Sequence, residues 1–292
     1  MGKASRRKKD ARAPKVAPAP YVARPFEGLP SETDWVAAHE ILPAATAELT
    51  LAADRVPEGG PATVTLATVL PMAWAALRRD TGEVLIACQS GTTSGDASRD
   101  LAQAMLAALD AEPGHPIPTV PPATRDTPRL QDLLDTDAPF ELTVHEGFDF
   151  WVGEQDLDGE ARESLERANE STIPTVRLDG LTSAFWAQIG ERTYIRTVLA
   201  EDEDDATNAL ARLLAAGEST IGDDTRLLGA FRAGGLLVPV WEVPAGSEPE
   251  SHVAPLTELL ARYETALAAT EPLSADERRA RSGLLSRQVT LR

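Results

Sequence analysis

The sequence predicts an α+β fold: a tandem duplication of an antiparallel-sheet-plus-helices unit, preceded by a disordered basic N-terminal arm. Three observations predict it. Segments 62–75 and 174–187 share Thr63/Thr175, Val64/Val176, Leu66/Leu178, Trp74/Trp186 and Ala75/Ala187 at a constant offset of 112. Further pairs follow in the same order, Arg129-Leu130 against Arg226-Leu227 and Leu165/Arg167 against Leu260/Arg262, as the offset slides to about 95 through loop-length differences. In both halves, β-rich runs separated by short turn signals alternate with helical periods, and strands joined that closely must run antiparallel. A period of about 100 residues implies paired domains, since solenoid repeats usually span about 20–50.

Taken in order, residues 1–24 contain Pro14, Pro18 and Pro20 and no apolar period, so they bury too little to offset ordering entropy and read as a disordered basic arm. Residues 25–56 form an N-terminal helix and strand segment. Its helix starts at 30–34, where Ser31, Thr33 and Asp34 offer capping oxygens, and stops at Pro43. The first repeat, 57–170, has a β-rich run at 63–69, separated from that at 49–52 by residues 57–60, which read as a hairpin or loop, then a hairpin, 73–77 with 83–88, turned at Gly82. A helix capped by Asp96 follows, with Leu101, Ala104, Met105 and Ala108 on one face. The proline-rich stretch 113–128 is a loop, leading to a helix over 128–135, a strand over 140–145 and an acidic helix over 160–169. The second repeat, 171–270, reads as strand 174–178, hairpin 184–200, helix 204–216, helix 225–232, strand 235–243 and helix 254–268. Residues 271–292 form a basic C-terminal tail.

Charge divides the chain into an acidic body with basic ends. Eight cationic side chains against Asp10 give residues 1–24 a net +7, and five arginines against Asp276 and Glu277 give 273–292 a net +3. The formal total of -18 leaves -28 on residues 25–272. Such a body repels polyanions, so any nucleic-acid contact falls to Lys3, Arg6, Arg7, Lys8, Lys9, Arg12 and Lys15 of the arm. Cys88 is the only cysteine, which excludes an internal disulfide and a multi-cysteine metal site and fits a cytoplasmic location. No apolar run approaches the roughly 20 residues of a membrane span.

No motif announces a reaction. Glu154, Asp156, Asp158 and Gly159 imitate the start of an EF-hand, but Leu165 stands where the bidentate glutamate belongs. Residues 91–96 occupy the strand-to-helix position of a phosphate loop without its lysine. His39, His115, His145 and His252 form no local metal pair, and Cys88 reads as a buried thiol. The acidic run Glu201 to Asp205 precedes a helix, where carboxylates favour the exposed amides, and reads as solvated surface. Trp74 and Trp186 read as core anchors or, alternatively, as aromatics lining a groove between the copies. The reading assigns no catalytic residue, metal or cofactor.

The opening residues 1–8, together with Tyr21 to Pro30 and Thr33 to Val36, resemble a family of actinobacterial proteins of the DUF5926 type, and the resemblance covers nearly the whole chain. It implies no activity, cofactor or site residue. The expected function is therefore that of a non-enzymatic adaptor or binding protein with an unknown protein partner. A nucleic-acid or ribosome-associated protein acting through the arm is the first alternative; a small-ligand-binding protein or enzyme with a site between the repeats is the second.

Overall fold

The structure, a computed structural model, describes residues 17–91, 93–153 and 158–286. The N-terminal segment forms helix α1 (Glu32–Glu40) and strand β1 (Ala45–Thr50). Next come β2 (Thr63–Ala67), β3 (Ala76–Arg78), β4 (Val84–Ala87), α2 (Ala97–Asp110), β5 (His115–Ile117), β6 (Thr143–Val144) and α3 (Gly159–Glu170). The remainder is β7 (Thr175–Arg177), β8 (Ala184–Ile189), β9 (Arg192–Thr197), α4 (Glu203–Ala216), β10 (Arg226–Ala233), β11 (Leu236–Val243), α5 (Val253–Leu267) and α6 (Ala275–Ser286). The fold is thus mixed α+β with two sheets, as the sequence predicts.

The first sheet has the order β5-β3-β4-β2-β1-β6 and departs from the antiparallel expectation at one place, where β2 and β4 run parallel. The chain leaving β2 passes through a 3-10 turn at Pro71–Ala73 and sets β3 one position beyond its neighbour, and the β3–β4 hairpin then folds β4 into the gap. Strand alternation places Val64, Leu66, Val84 and Ile86 in one core with Leu101, Ala104, Met105 and Ala108 of α2. Ala67, Leu85 and Ala87 face the other way, under Trp74, Leu77, Phe150 and Trp151.

The second sheet is antiparallel throughout, β10-β11-β9-β8-β7. One face carries Leu178, Trp186, Ile195 and Trp241 against α4 and α5, and α6 adds Leu284 to the same core. The other face contributes Phe185, Val198, Leu236 and Val238 to the core built by the first sheet and α1. The principal hydrophobic core is therefore common to both halves.

Several local expectations change. The helix expected over 225–232 is instead strand β10, Arg226–Ala233, although Leu227, Leu228 and Phe231 have helical spacing. Gly229 opens a bulge, and Gly234 and Gly235, both at positive φ, close a two-residue hairpin onto β11, so cross-strand pairing overrides the local period. The helix expected over 128–135 is a single 3-10 turn, Leu130–Asp132, and the strand over 140–145 shrinks to β6, paired to β1. Residues 17–24 of the expected arm lie along the body: Pro18 bridges to Thr124, Ala19 is buried and Val22 N donates to Gly95 O. The expected C-terminal tail contains α6, begun by a capping box in which Ser274 N donates to Glu277 Oε2 and Glu277 N donates to Ser274 Oγ.

Arg196 on β9 is the most costly buried group in the second sheet. It is 6% exposed and has no hydrogen-bond or ion-pair partner among the described residues, and burial pulls its guanidinium down to about 10. Arg196→Met is expected to raise the unfolding free energy by about 1–3 kcal/mol, because an apolar chain of similar length avoids the desolvation of a lone charge. Urea denaturation checks this; a loss of stability would show that the cation has a partner in solution.

Candidate functional site

Helix α1 carries the polar groups that join the two halves. Ser31, expected as its cap, adopts a left-handed backbone (φ 54) and makes no side-chain cap. Thr33 and Asp34 are turned toward the second sheet instead. The Ser183 hydroxyl donates to Asp34 Oδ1 at 2.6 Å and lies 2.7 Å from Thr33 Oγ1, while Arg177 Nη2 donates to Asp34 Oδ2 at 2.9 Å. Asp34 and Ser183 are buried, so this is a satisfied polar cluster inside the seam.

A strap, residues 21–25, crosses the seam beside this cluster. Arg24 forms a two-point pair with Glu32 (3.0 and 2.6 Å) and donates to Asp202 Oδ1 (3.2 Å) and Ala200 O (3.4 Å), which holds its guanidinium above the ordinary range. Gly235 has no room for a side chain: a Cβ there would sit 2.4 Å from Ala23 O.

Two cavities open at the seam. The larger, about 460 Å³, is lined by Thr33 of α1, residues 180–182 before β8, residues 197–201 after β9, and Thr257, Leu260, Ala261, Tyr263 and Glu264 of α5. Its floor is apolar through Leu181, Leu199 and Leu260, and its polar groups are four threonine hydroxyls, Tyr263 and two glutamates. The Tyr263 hydroxyl donates to Glu201 Oε2 at 2.8 Å. Burial first, then this bond, raises the phenol well above its ordinary range, so it remains a protonated donor. No histidine, cysteine, lysine or arginine belongs to the described lining.

The smaller cavity, about 390 Å³, lies on the other side of the strap and contains the loop that the sequence offered as a phosphate-loop imitation. Tyr21, 78% exposed, stands at it with Arg232, His39, Glu40, Cys88 and Asp100. Asp96 does not cap α2 as expected. It is 1% exposed, and its carboxylate turns inward to Arg99 (3.2 Å) and Arg129 (3.4 Å). Acidic Asp100 takes the Ser94 N–H, which leaves this helix start poorly suited to an anion.

The remaining sequence candidates are dispersed. Trp186 is in the core of the second sheet, whereas Trp74 is half-buried and lines a separate groove of about 250 Å³ with Trp151, Pro71 and Pro116. Cys88 is a buried free thiol whose ionisation burial pushes up. His39 pairs with Glu40, His115 is exposed, His145 bonds Thr46 and His252 bonds Ser247. Asp158 caps α3 by accepting from Ala161 N, and residues 154–157 lie outside the described residues. So do Lys3, Arg6, Arg7, Lys8, Lys9, Arg12 and Lys15. Among the described residues, no group of three or more His, Cys, Asp or Glu is placed to hold a metal ion, and no helix is long and apolar enough to cross a membrane.

Sequence reasoning passed over most of the larger cavity. Its residues come from four separate stretches, and those that drew notice did so for local reasons: Thr33 at a helix start, Leu260 in the repeat and Glu201 in an acidic run. No curated protein and no solved structure shows a significant match to the chain. Residues 25–292 match the model of a family of unknown function, DUF5926, and the chain belongs to that family.

Proposed function

We propose that this chain is a non-enzymatic binding protein whose ligand site is the larger seam cavity. The observation that carries the reading is the convergence of hydroxyls and carboxylates over an apolar floor in about 460 Å³, within the range of small-ligand pockets. The described lining holds no histidine, cysteine, lysine or arginine, and its hydroxyls and carboxylates support reading it as a surface that holds a ligand. Packing in the second sheet's core, through Leu199 and Tyr263, and the Thr33–Asp34–Ser183 cluster support a preformed site.

We also read the halves as a tandem duplication. The hairpin-then-helix orders β3–β4–α2 and β8–β9–α4 support it; after the helix, β5 joins β3 in the first half, whereas in the second β10 pairs with β11, which joins β9.

A thermal-shift screen of the full chain with small cations, anions and neutral molecules tests the binding role. A ligand at a hundredfold excess over its Kd is expected to stabilise the native state by about 2.7 kcal/mol. Ala261→Trp, at an exposed α5 position lining the cavity, is expected to abolish that shift without unfolding the protein. Shifts that survive Ala261→Trp, or none across the whole screen, would count against the site.

A further inference from the structure

The acidic run before α4 divides into paired and unpaired members. Asp202 binds Arg24, Glu203 binds Arg232 and Asp204 binds Arg281, each on the outer surface. Glu201, the member that lines the cavity, has no cationic partner among the described residues; its one hydrogen bond comes from Tyr263. Glu264, one residue beyond Tyr263 on α5, lines the same cavity and likewise forms no ion pair. The arginines nearby are committed elsewhere. Arg24 is fixed by Glu32 and Asp202, and Arg262 Nη2 donates to Thr220 O.

From this distribution we infer that the seam cavity takes a cationic ligand group, a primary ammonium or a guanidinium on a short apolar chain, with Glu201 as its anchor. The inference rests on the binding role proposed above and specifies its chemistry. A half-buried carboxylate without a counter-ion gains most from a cation that brings its own N–H donors, because charge-assisted bonds are roughly twice as strong as neutral ones. Tyr263 spends its only proton on Glu201 Oε2, which fixes the carboxylate and leaves Oε1 and the threonine oxygens as acceptors. The apolar chain lies on Leu181, Leu199 and Leu260. Carboxylate ligands are disfavoured by two like charges in the same lining.

The test uses the full chain with four probes of equal length: n-butylammonium, n-butylguanidinium, n-butanol and butyrate. Calorimetric titration at low ionic strength is expected to show binding of the two cations, at least tenfold tighter than of butanol, and none of butyrate. Glu201→Gln is expected to weaken cation binding at least tenfold. Glu264→Gln, at an exposed position that tolerates substitution, is expected to weaken it in the same direction and serves if the first variant fails to fold. Butanol or butyrate binding as tightly as the cations, with sensitivity to Ala261→Trp, would overturn the cationic assignment while leaving the binding role standing. Cation binding unaffected by both glutamine variants would also overturn it. If none of the four probes binds while another ligand in the wider screen does so in an Ala261→Trp-sensitive way, the cationic assignment fails alone; if nothing in either experiment binds, both fail.

Discussion

Replacing Trp35 with alanine is expected to lower the unfolding free energy by about 3–5 kcal/mol, the largest loss from any single substitution considered for this chain. Trp35 is 1% exposed and lies between two other rings, stacked on Phe26 at 5.6 Å and on Phe140 at 4.5 Å between centroids. Its indole N–H donates to Pro30 O at 3.1 Å, which holds the turn that starts α1. Alanine removes the ring contacts, empties a space in the core shared by both sheets and leaves the Pro30 carbonyl without this donor. Since α1 also carries Thr33 into the seam cavity, the same variant is expected to lose any thermal shift given by a cavity ligand. Urea denaturation by tryptophan fluorescence and far-UV circular dichroism measures the first effect. A loss below about 1 kcal/mol would mean that α1 is not seated as described.

The second large effect is expected at Asp34. Asp34→Ala removes the acceptor shared by Ser183 and Arg177, which leaves the buried Ser183 hydroxyl with Thr33 Oγ1 alone and the Arg177 guanidinium without its carboxylate. The expected cost is about 2–4 kcal/mol, somewhat below that of breaking a fully buried pair, because the Arg177 side chain is 30% exposed and water takes up part of its charge. Asp34→Asn keeps an acceptor for Ser183 and is expected to lose about half as much, mainly through the Arg177 pair. The comparison separates the carboxylate's charge from its hydrogen-bonding and space-filling roles: equal losses in the two variants would show that the charge alone matters. Because the cluster ties α1 to the segments entering β8 and leaving β7, its loss is expected to broaden the unfolding transition as the halves uncouple.

Much of the architecture is legible in the chain, and the reasons are local. Helix α2 is announced by Leu101, Ala104, Met105 and Ala108, and all four are buried. The β8–β9 hairpin shows in its β-rich runs about Gly190, which takes the positive φ of its turn. The start of α6 was also readable, since Ser274 and Glu277 have capping-box spacing, although the arginines around them drew attention to charge instead. Failures cluster where distant pairing decides. Residues 226–233 carry a helical apolar period, yet β11 supplies a complete ladder of partners and a Gly-Gly turn that brings the strands together. Asp34 in the first turn of α1 and Asp96, expected to cap α2, were both drawn off by partners in the fold, Asp34 by Ser183 and Arg177, Asp96 by Arg129 together with the nearer Arg99.

By itself the sequence determined the fold class, the order of most elements, the acidic character of the body and the absence of a long apolar helix, because these depend on composition and on spacings of two to four residues. Only the tertiary structure decided that β2 and β4 run parallel, that one core serves both halves, and that Trp186 is interior while Trp74 borders a groove. It also decided which members of an unbroken acidic run are paired with arginines and which one lines a cavity. The five residues Glu201 to Asp205 are chemically alike in the sequence, but chain crossings at residues 24, 232, 263 and 281 give Asp202, Glu203 and Asp204 an arginine each and Glu201 a tyrosine and a cavity, while Asp205 forms no ion pair among the described residues. Charge pairing is set by distance in space, which the order of residues along the chain does not contain.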